Sequence, residues 1–241
     1  MCRSGNHAII FWILENLGGC NEKIDGCCYW NNDNKVYFYN NCNHIKYFYL
    51  NNYEYMIRSY EDDFIDKLKN SNINNKNIVI LRDFPNLITS RYKKYGEKLG
   101  LNWSYPQDIE LIKKIWKNQA KSIINNESIG ILYNKWVVDK EYRDKIGVIL
   151  DIPNNKDKID YVSNIGEGSS FCGVKLENDK TDYLNRYKTI NLPEWIITSM
   201  ISDDELVHLN KEIFGIDLMN IYLCECECDN SNDNVKNIEN V

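Results

Sequence analysis

Two short segments combine residue types and spacings suited to holding anions. The first, Cys2-Arg3-Ser4-Gly5-Asn6-His7-Ala8, is a small polar turn with one fixed cation. It opens into an apolar run of Ile9, Ile10, Trp12, Ile13 and Leu17. Backbone N–H groups at such a helix start, with the helix dipole behind them, favour a phosphate or sulfate. Gly5 allows close backbone approach, while Ser4, Asn6 and His7 add amides; His7 serves equally well as a helix cap. The second segment, Leu81-Arg82-Asp83-Phe84-Pro85-Asn86-Leu87-Ile88-Thr89-Ser90, follows the strand-like run Ile78-Val79-Ile80-Leu81. It sets Arg82 at a strand end and Ser90 eight residues further on. Together the segments predict two anion-binding corners, one for each end of a ligand phosphorylated at both ends. The bland alternatives are a surface Arg3 beside an ordinary helix cap, and a strand-end Arg82 with an unrelated helix-surface Ser90.

The elements that must position these corners alternate as in an α/β protein. A helix is expected from about Asn6 to Leu17, stopped by Gly18-Gly19. Aromatic, β-favouring runs follow at Val36–Tyr39, Lys46–Leu50 and Tyr55–Arg58. Glu61-Asp62-Asp63 opens a short amphipathic helix through Phe64, Ile65 and Leu68. Strand Ile78–Leu81 feeds a helix from about Pro85 to Tyr95, and Pro106 opens a longer one through Ile109, Ile112, Ile115, Trp116, Ala120 and Ile123. Strand Ile129–Tyr133 and helix Lys140–Leu150 come next. From Pro153 to Lys175 the chain is polar and glycine-bearing, which reads as a functional loop. Helices near Thr181–Tyr187 and Asp203–Phe214 complete residues 1–220 as one α/β domain. Residues 221–241 form a polar Cys/Asn-rich tail, expected to be disordered at its end.

The two segments resemble the cofactor-binding motifs of the PAPS-dependent sulfotransferases (PAPS is 3′-phosphoadenosine 5′-phosphosulfate). In that family a basic-Ser-Gly-Thr-x turn binds the 5′-phosphosulfate. A strand-end Arg and a Ser eight positions later bind the 3′-phosphate. Here the turn reads Arg3-Ser4-Gly5-Asn6-His7, with Arg3 where the family's catalytic residue is usually Lys, and the pair is Arg82 and Ser90. A softer match, Ile131-Leu132-Tyr133-Asn134-Lys135-Trp136 with Asp139-Lys140-Glu141-Tyr142, looks like the family's strand-Tyr-Glu-Asp-Leu and Asp-Pro-Glu segment. That segment leads into a helix ending in a Leu-Gly-like turn, here Ile149-Leu150-Asp151-Ile152-Pro153. The resemblance spans roughly residues 2 to 190. It implies a three-layer sandwich with a central, mostly parallel sheet of the P-loop NTPase-like kind. It also implies PAPS as sulfuryl donor and adenosine 3′,5′-bisphosphate as product. The family's phosphosulfate turn follows a buried strand, whereas this sequence starts at Met1-Cys2. The expectation is therefore a sheet lacking its first strand, or one filled by an aromatic run between Val36 and Leu50.

Sulfuryl transfer, like phosphoryl transfer, is catalysed by positioning and by stabilising charge on the leaving group. Arg3 suits that role through its fixed charge and forked donors, although it cannot donate a proton. A hydroxyl acceptor also needs a base. Glu61 is the first candidate, beside Tyr60 at the place of the family's strand-end His; His44 is second and Asp25 third. A helix-start carboxylate and a His between aromatic runs each have structural uses too. Phe171, in Gly168-Ser169-Ser170-Phe171-Cys172-Gly173, is placed to stack on adenine or to act as a hydrophobic anchor. Lys175 or Arg186 is a candidate for a further phosphate contact.

A net charge of −6 gives no reason to expect a nucleic-acid partner. The expected partner is a small-molecule or carbohydrate acceptor, with Tyr37, Tyr39, Tyr47 and Tyr49 candidates for lining a sugar or phenol pocket or for strand packing. No apolar run approaches a membrane span and no signal peptide is visible. The nine Cys, an odd and scattered set, suit a reducing, cytoplasmic setting better than a disulfide framework. Zinc sites pair Cys separated by two or more residues, and alternating residues on an extended chain project to opposite sides, so Cys224-Glu225-Cys226-Glu227-Cys228 is not read as a metal site. Two other functions compete. A P-loop nucleotide kinase would need Gly-x4-Gly-Lys-Ser/Thr, which the sequence lacks. A degenerate sulfotransferase-like nucleotide-binding module would keep the corners without activity.

Overall fold

A computed structural model describes residues 8–9, 12–13, 16, 22–24, 27–29, 37–38, 45–50, 53–58, 77–96, 108–152 and 184–229. The chain divides into two compact units, Met1–Ile190 and Asn191–Val241.

In the first unit, strands β1 (Glu22–Ile24) and β2 (Cys27–Tyr29) pair antiparallel. A second sheet has the order β3 (Tyr37–Phe38), β4 (Ile45–Leu50), β5 (Tyr53–Arg58), also antiparallel. Only two residues separate β4 from β5, and a connection that short can join only antiparallel neighbours. Parallel pairing occurs between β6 (Ile78–Leu81) and β7 (Ile129–Leu132), in register from Ile78 opposite Ile129 to Leu81 opposite Leu132. Among the described strands the aromatic runs thus pair with one another, and β6 pairs with β7. The expectation that one of those runs lies beside β6 is not met there.

The connection between β6 and β7 is helical, as parallel strands require. Helix α1 (Phe84–Tyr95) starts on the N-cap Asp83, whose carboxylate accepts from Asn86 N at 3.0 Å, with Pro85 in the tolerant first turn. Helix α2 (Ile109–Ile124) starts on Asp108, which accepts from the Glu110 and Leu111 amides. Its buried Ile112, Ile115, Trp116 and Ala120 form one stripe, and Trp116 meets Phe84 of α1 edge-on at 5.7 Å. Strand β7 ends one residue earlier than expected, because Tyr133 opens a short helix, α3 (Tyr133–Val138). Helix α4 (Lys140–Ile149) follows from the N-cap Asp139. It ends with Asp151 in the left-handed region at φ 56°, which lets Ile152 N reach back to Gly147 O at 2.9 Å and buries Ile152.

Successive residues of β7 meet different helices, as the two-residue period of a strand dictates. Ile131 packs in one cluster with Ile9, Trp12 and Ile13 of the N-terminal helical segment and with Trp136, Val137 and Ile146 of α3 and α4. Gly130 instead faces Ile123 of α2. A Cβ built on Gly130 would lie 2.6 Å from Ile123 Cγ2 and 2.9 Å from its Cγ1, atoms close to a stiff β-branched root. Gly130→Ala should therefore cost about 1–3 kcal/mol by overpacking. Urea denaturation would show it, with part of the loss recovered in the Gly130→Ala, Ile123→Ala double variant. Tyr142 of α4 covers backbone groups of β7: its hydroxyl accepts from Leu132 N at 2.9 Å and donates to Gly130 O at 3.3 Å. Burial pushes the phenol above its ordinary value, because the ionised form would sit in an apolar setting.

The segment expected to be a helix near Thr181–Tyr187 is, in its described part, a turn followed by a 3-10 helix, Arg186–Lys188. It is closed by Thr189 N and Thr189 Oγ1, both donating to Arg186 O.

The second unit consists of helices α5 (Glu194–Ile201), α6 (Asp204–Phe214) and α7 (Leu218–Asp229) around Ile196, Met200, Leu206, Leu209 and Leu218. Asp203 caps α6, and Gly215 at φ 70° ends it. Asp217 accepts from Lys211 Nζ at 2.8 Å and from the Met219 amide at 3.0 Å, and these bonds hold its carboxyl below the usual carboxylate range. Helix α7 carries the Cys224–Cys228 run, which is helical rather than extended. No helix among the described residues is long and apolar enough to cross a membrane.

Candidate anion site at the strand ends

The carboxyl ends of parallel strands are where open α/β sheets place ligands, because the following loops and helix N-termini converge there. Arg82 and Asp83 follow β6 directly, and Tyr133 and Asn134 follow β7. Both strand ends are tied together: Asn134 Nδ2 donates to Asp83 Oδ2 at 2.7 Å, and Asp83 N donates to Asn134 Oδ1 at 3.3 Å.

Arg82 is held on several sides. Its main-chain carbonyl accepts from Trp116 Nε1 of α2 at 2.8 Å. Its guanidinium lies over the Tyr133 ring, 5.3 Å from the centroid. Its Nη1 donates to Ser90 Oγ at 3.3 Å across the first turns of α1. Arg186, from the 3-10 helix, donates from its own Nη1 to the same Ser90 oxygen at 3.4 Å. All three side chains are buried, at 3%, 1% and 6% exposure for Arg82, Ser90 and Arg186. Two fixed positive charges and a hydroxyl therefore converge on one place. Burial pulls the Arg82 guanidinium below its ordinary value, with Tyr133 and Asp83 acting the other way. An arginine nevertheless stays charged, so the local field favours an anion with several oxygens.

The sequence-predicted pair Arg82 and Ser90 is thus brought together, and Arg186, one of two candidates for an added phosphate contact, joins it. Arg3, Ser4, Gly5, Asn6 and His7 of the first corner lie outside the described residues, as do Glu61, His44, Asp25, Phe171 and Lys175. The helical residues Ala8, Ile9, Trp12, Ile13 and Asn16 that follow the first corner are described. Trp12 stands edge-on to Trp136 at 6.1 Å, and Trp136 stacks on Tyr133 at 6.0 Å. The N-terminal helical segment is in this way packed beside the residue that lies under Arg82.

Sequence reasoning missed the polar frame around the pair. Asp83 and Asn86 are both 0% exposed, and the Asp83 carboxylate accepts from Asn86 N, Asn86 Nδ2 and Asn134 Nδ2. The signal was present as an Asp three residues before an Asn at a helix start, a capping pattern. Its long-range partners, Asn134 and Leu184, leave no trace in one sequence. Comparison with family models, curated proteins and solved structures found no match to this chain.

Proposed function

We propose that the chain is a PAPS-dependent sulfotransferase, moving a sulfuryl group to a hydroxyl or amine acceptor, built as three layers with helices on both faces of a parallel sheet. The observation that carries the reading is the convergence of Arg82, Ser90 and Arg186 at the carboxyl end of β6. Two guanidiniums and a hydroxyl suit the oxygens of a phosphomonoester dianion, and the eight-residue spacing of Arg82 and Ser90 is the one that the sulfotransferase resemblance implies for the 3′-phosphate. The layer arrangement is supported by β7, whose Gly130 and Ile131 meet helices on different sides.

In this reading Arg82, Ser90 and Arg186 hold the 3′-phosphate, and the Arg3–His7 turn holds the 5′ end. PAPS, when bound, supplies the activated sulfuryl group. Arg3 stabilises the negative charge that grows on the leaving phosphate oxygen. Glu61, with His44 as second candidate, takes the proton that the acceptor hydroxyl gives up.

Thermal-shift titration with adenosine 3′,5′-bisphosphate, AMP, ATP and GTP tests the nucleotide. The bisphosphate is expected to stabilise at lower concentration than the other three. A preference for ATP or GTP would reject the reading in favour of a nucleotide kinase. Transfer of labelled sulfuryl from PAPS to a panel of phenol, sugar and amine acceptors tests the reaction. Bisphosphate binding without transfer would identify a binding module.

A further inference from the structure

Asn86 occupies a position that the anion triad itself does not explain. Its side-chain nitrogen donates to both Asp83 carboxylate oxygens, at 2.9 and 3.0 Å, and to the main-chain carbonyl of Leu184 at 2.7 Å. All those partners are acceptors, so the chemistry fixes which end of the amide points at them. Leu184 lies two residues before Arg186. Asn86 lies four residues before Ser90, on the same face of α1. Four residues of helix rise about 6 Å, and two residues of chain span at most about 7 Å. The two contacts, Asn86 with Leu184 O and Ser90 with Arg186 Nη1, are therefore matched rungs between α1 and the 184–188 segment.

We propose that Asn86, oriented by Asp83, is a positioning residue that docks the 184–188 segment so that Arg186 completes the anion site. The Asp83 carboxylate serves three ends at once. It caps α1 through Asn86 N, ties the end of β6 to the end of β7 through Asn134, and aims the Asn86 amide at Leu184. The Arg82–Ser90 half of the site is local to β6 and α1. The Arg186 half comes from a segment roughly 100 residues away in sequence, and hydrogen bonds of Asn86 and Ser90 connect it to α1. Without the Asn86 rung, a short 3-10 turn has little regular structure of its own to hold a guanidinium in place.

The proposal rests on the bisphosphate reading for its ligand, and the test separates the two. Affinities for adenosine 3′,5′-bisphosphate and AMP are measured by calorimetry in the wild type, Asn86→Ala, Arg186→Ala and the double variant. Asn86→Ala is expected to weaken the bisphosphate about tenfold and AMP by less than about twofold, the loss of one charge-assisted contact. In the Arg186→Ala background the same change should cost less than about twofold, because there is no guanidinium left to position. Additive losses in the double variant, or equal losses for both nucleotides, overturn the proposal. Amide hydrogen exchange gives a ligand-free arm. Asn86→Ala should speed exchange at Lys188 and Thr189 about tenfold or more, with Ile80 and Ile131 in the parallel strands unchanged. Unchanged exchange at Lys188 and Thr189 overturns it as well. A wild type that does not distinguish bisphosphate from AMP rejects the sulfotransferase reading, and the exchange arm then decides alone whether Asn86 holds the Arg186 segment. Should Asn86→Ala prove too unstable, Asn86→Ser, which keeps a small polar group, is measured in the same way.

Discussion

Arg82→Ala is expected to weaken binding of adenosine 3′,5′-bisphosphate by roughly 2–3 kcal/mol, or about 30- to 150-fold, and to leave AMP binding within about twofold. The two nucleotides differ only by the 3′-phosphate, so the difference isolates the corner formed by Arg82, Ser90 and Arg186. The loss is large because the guanidinium is buried at 3% exposure, where charge is poorly screened, and is already fixed over Tyr133 and against Ser90. Little ordering entropy is then needed when the anion arrives. The substitution leaves the frame of the fold in place, since Trp116 Nε1 bonds the Arg82 main-chain carbonyl rather than its side chain. Arg82→Lys should recover only part of the affinity, because an ammonium keeps the charge without the fork. Calorimetry on both nucleotides decides it. Equal losses for bisphosphate and AMP would assign Arg82 to general stability rather than to the phosphate.

Much of this corner is legible in the sequence. Ile78-Val79-Ile80-Leu81 is a continuous apolar run with three β-branched residues, and the Asp83-Phe84-Pro85-Asn86 that follows Arg82 is a helix start in residue type, so β6 and α1 fall where the pattern puts them. The α/β class follows from the same alternation. The strand pairings were harder, because pairing is a long-range property; the aromatic runs form an antiparallel sheet of their own, and parallel pairing appears between β6 and β7. Helix α5 escaped although Leu192, Ile196 and Met200 recur every four residues and are all buried. Eight residues give too few turns for that period to stand out. Helix α7 was hidden by its alternating Cys and Glu, which have no 3.6-residue period. Arg186 sits on a 3-10 turn of three residues, too short to carry any periodicity. It was visible only as one of two cations in a polar stretch. The Asn86–Leu184 bond spans 98 residues and no local pattern encodes it.

Trp12→Ala is expected to destabilise the protein by about 3–5 kcal/mol, the cost of emptying a large buried aromatic site. Trp12 is 1% exposed and belongs to the cluster that covers Ile131 of β7, where its ring stands edge-on to Trp136 at an interplanar angle of 80°. Such aromatic pairs add about 0.5–1.5 kcal/mol beyond area burial. Trp12→Phe should cost far less. It keeps an aromatic ring against Trp136 and removes the Trp12 Nε1 donor, which is buried without a hydrogen-bond partner among the described residues. Guanidinium denaturation midpoints for the two variants check the contrast. The same pair of variants reports on the ligand. Trp12 belongs to the helical residues that follow residues 3–7, which the proposed function gives the 5′ end of the nucleotide. Its loosening in Trp12→Ala should therefore weaken AMP and adenosine 3′,5′-bisphosphate together, the opposite selectivity to Arg82→Ala. A Trp12→Ala variant that loses less than about 1 kcal/mol would show that the N-terminal helical segment contributes little to the core. One that loses stability but binds AMP normally would detach the 5′ end of the nucleotide from residues 3–7 and leave the role of the strand-end corner untouched.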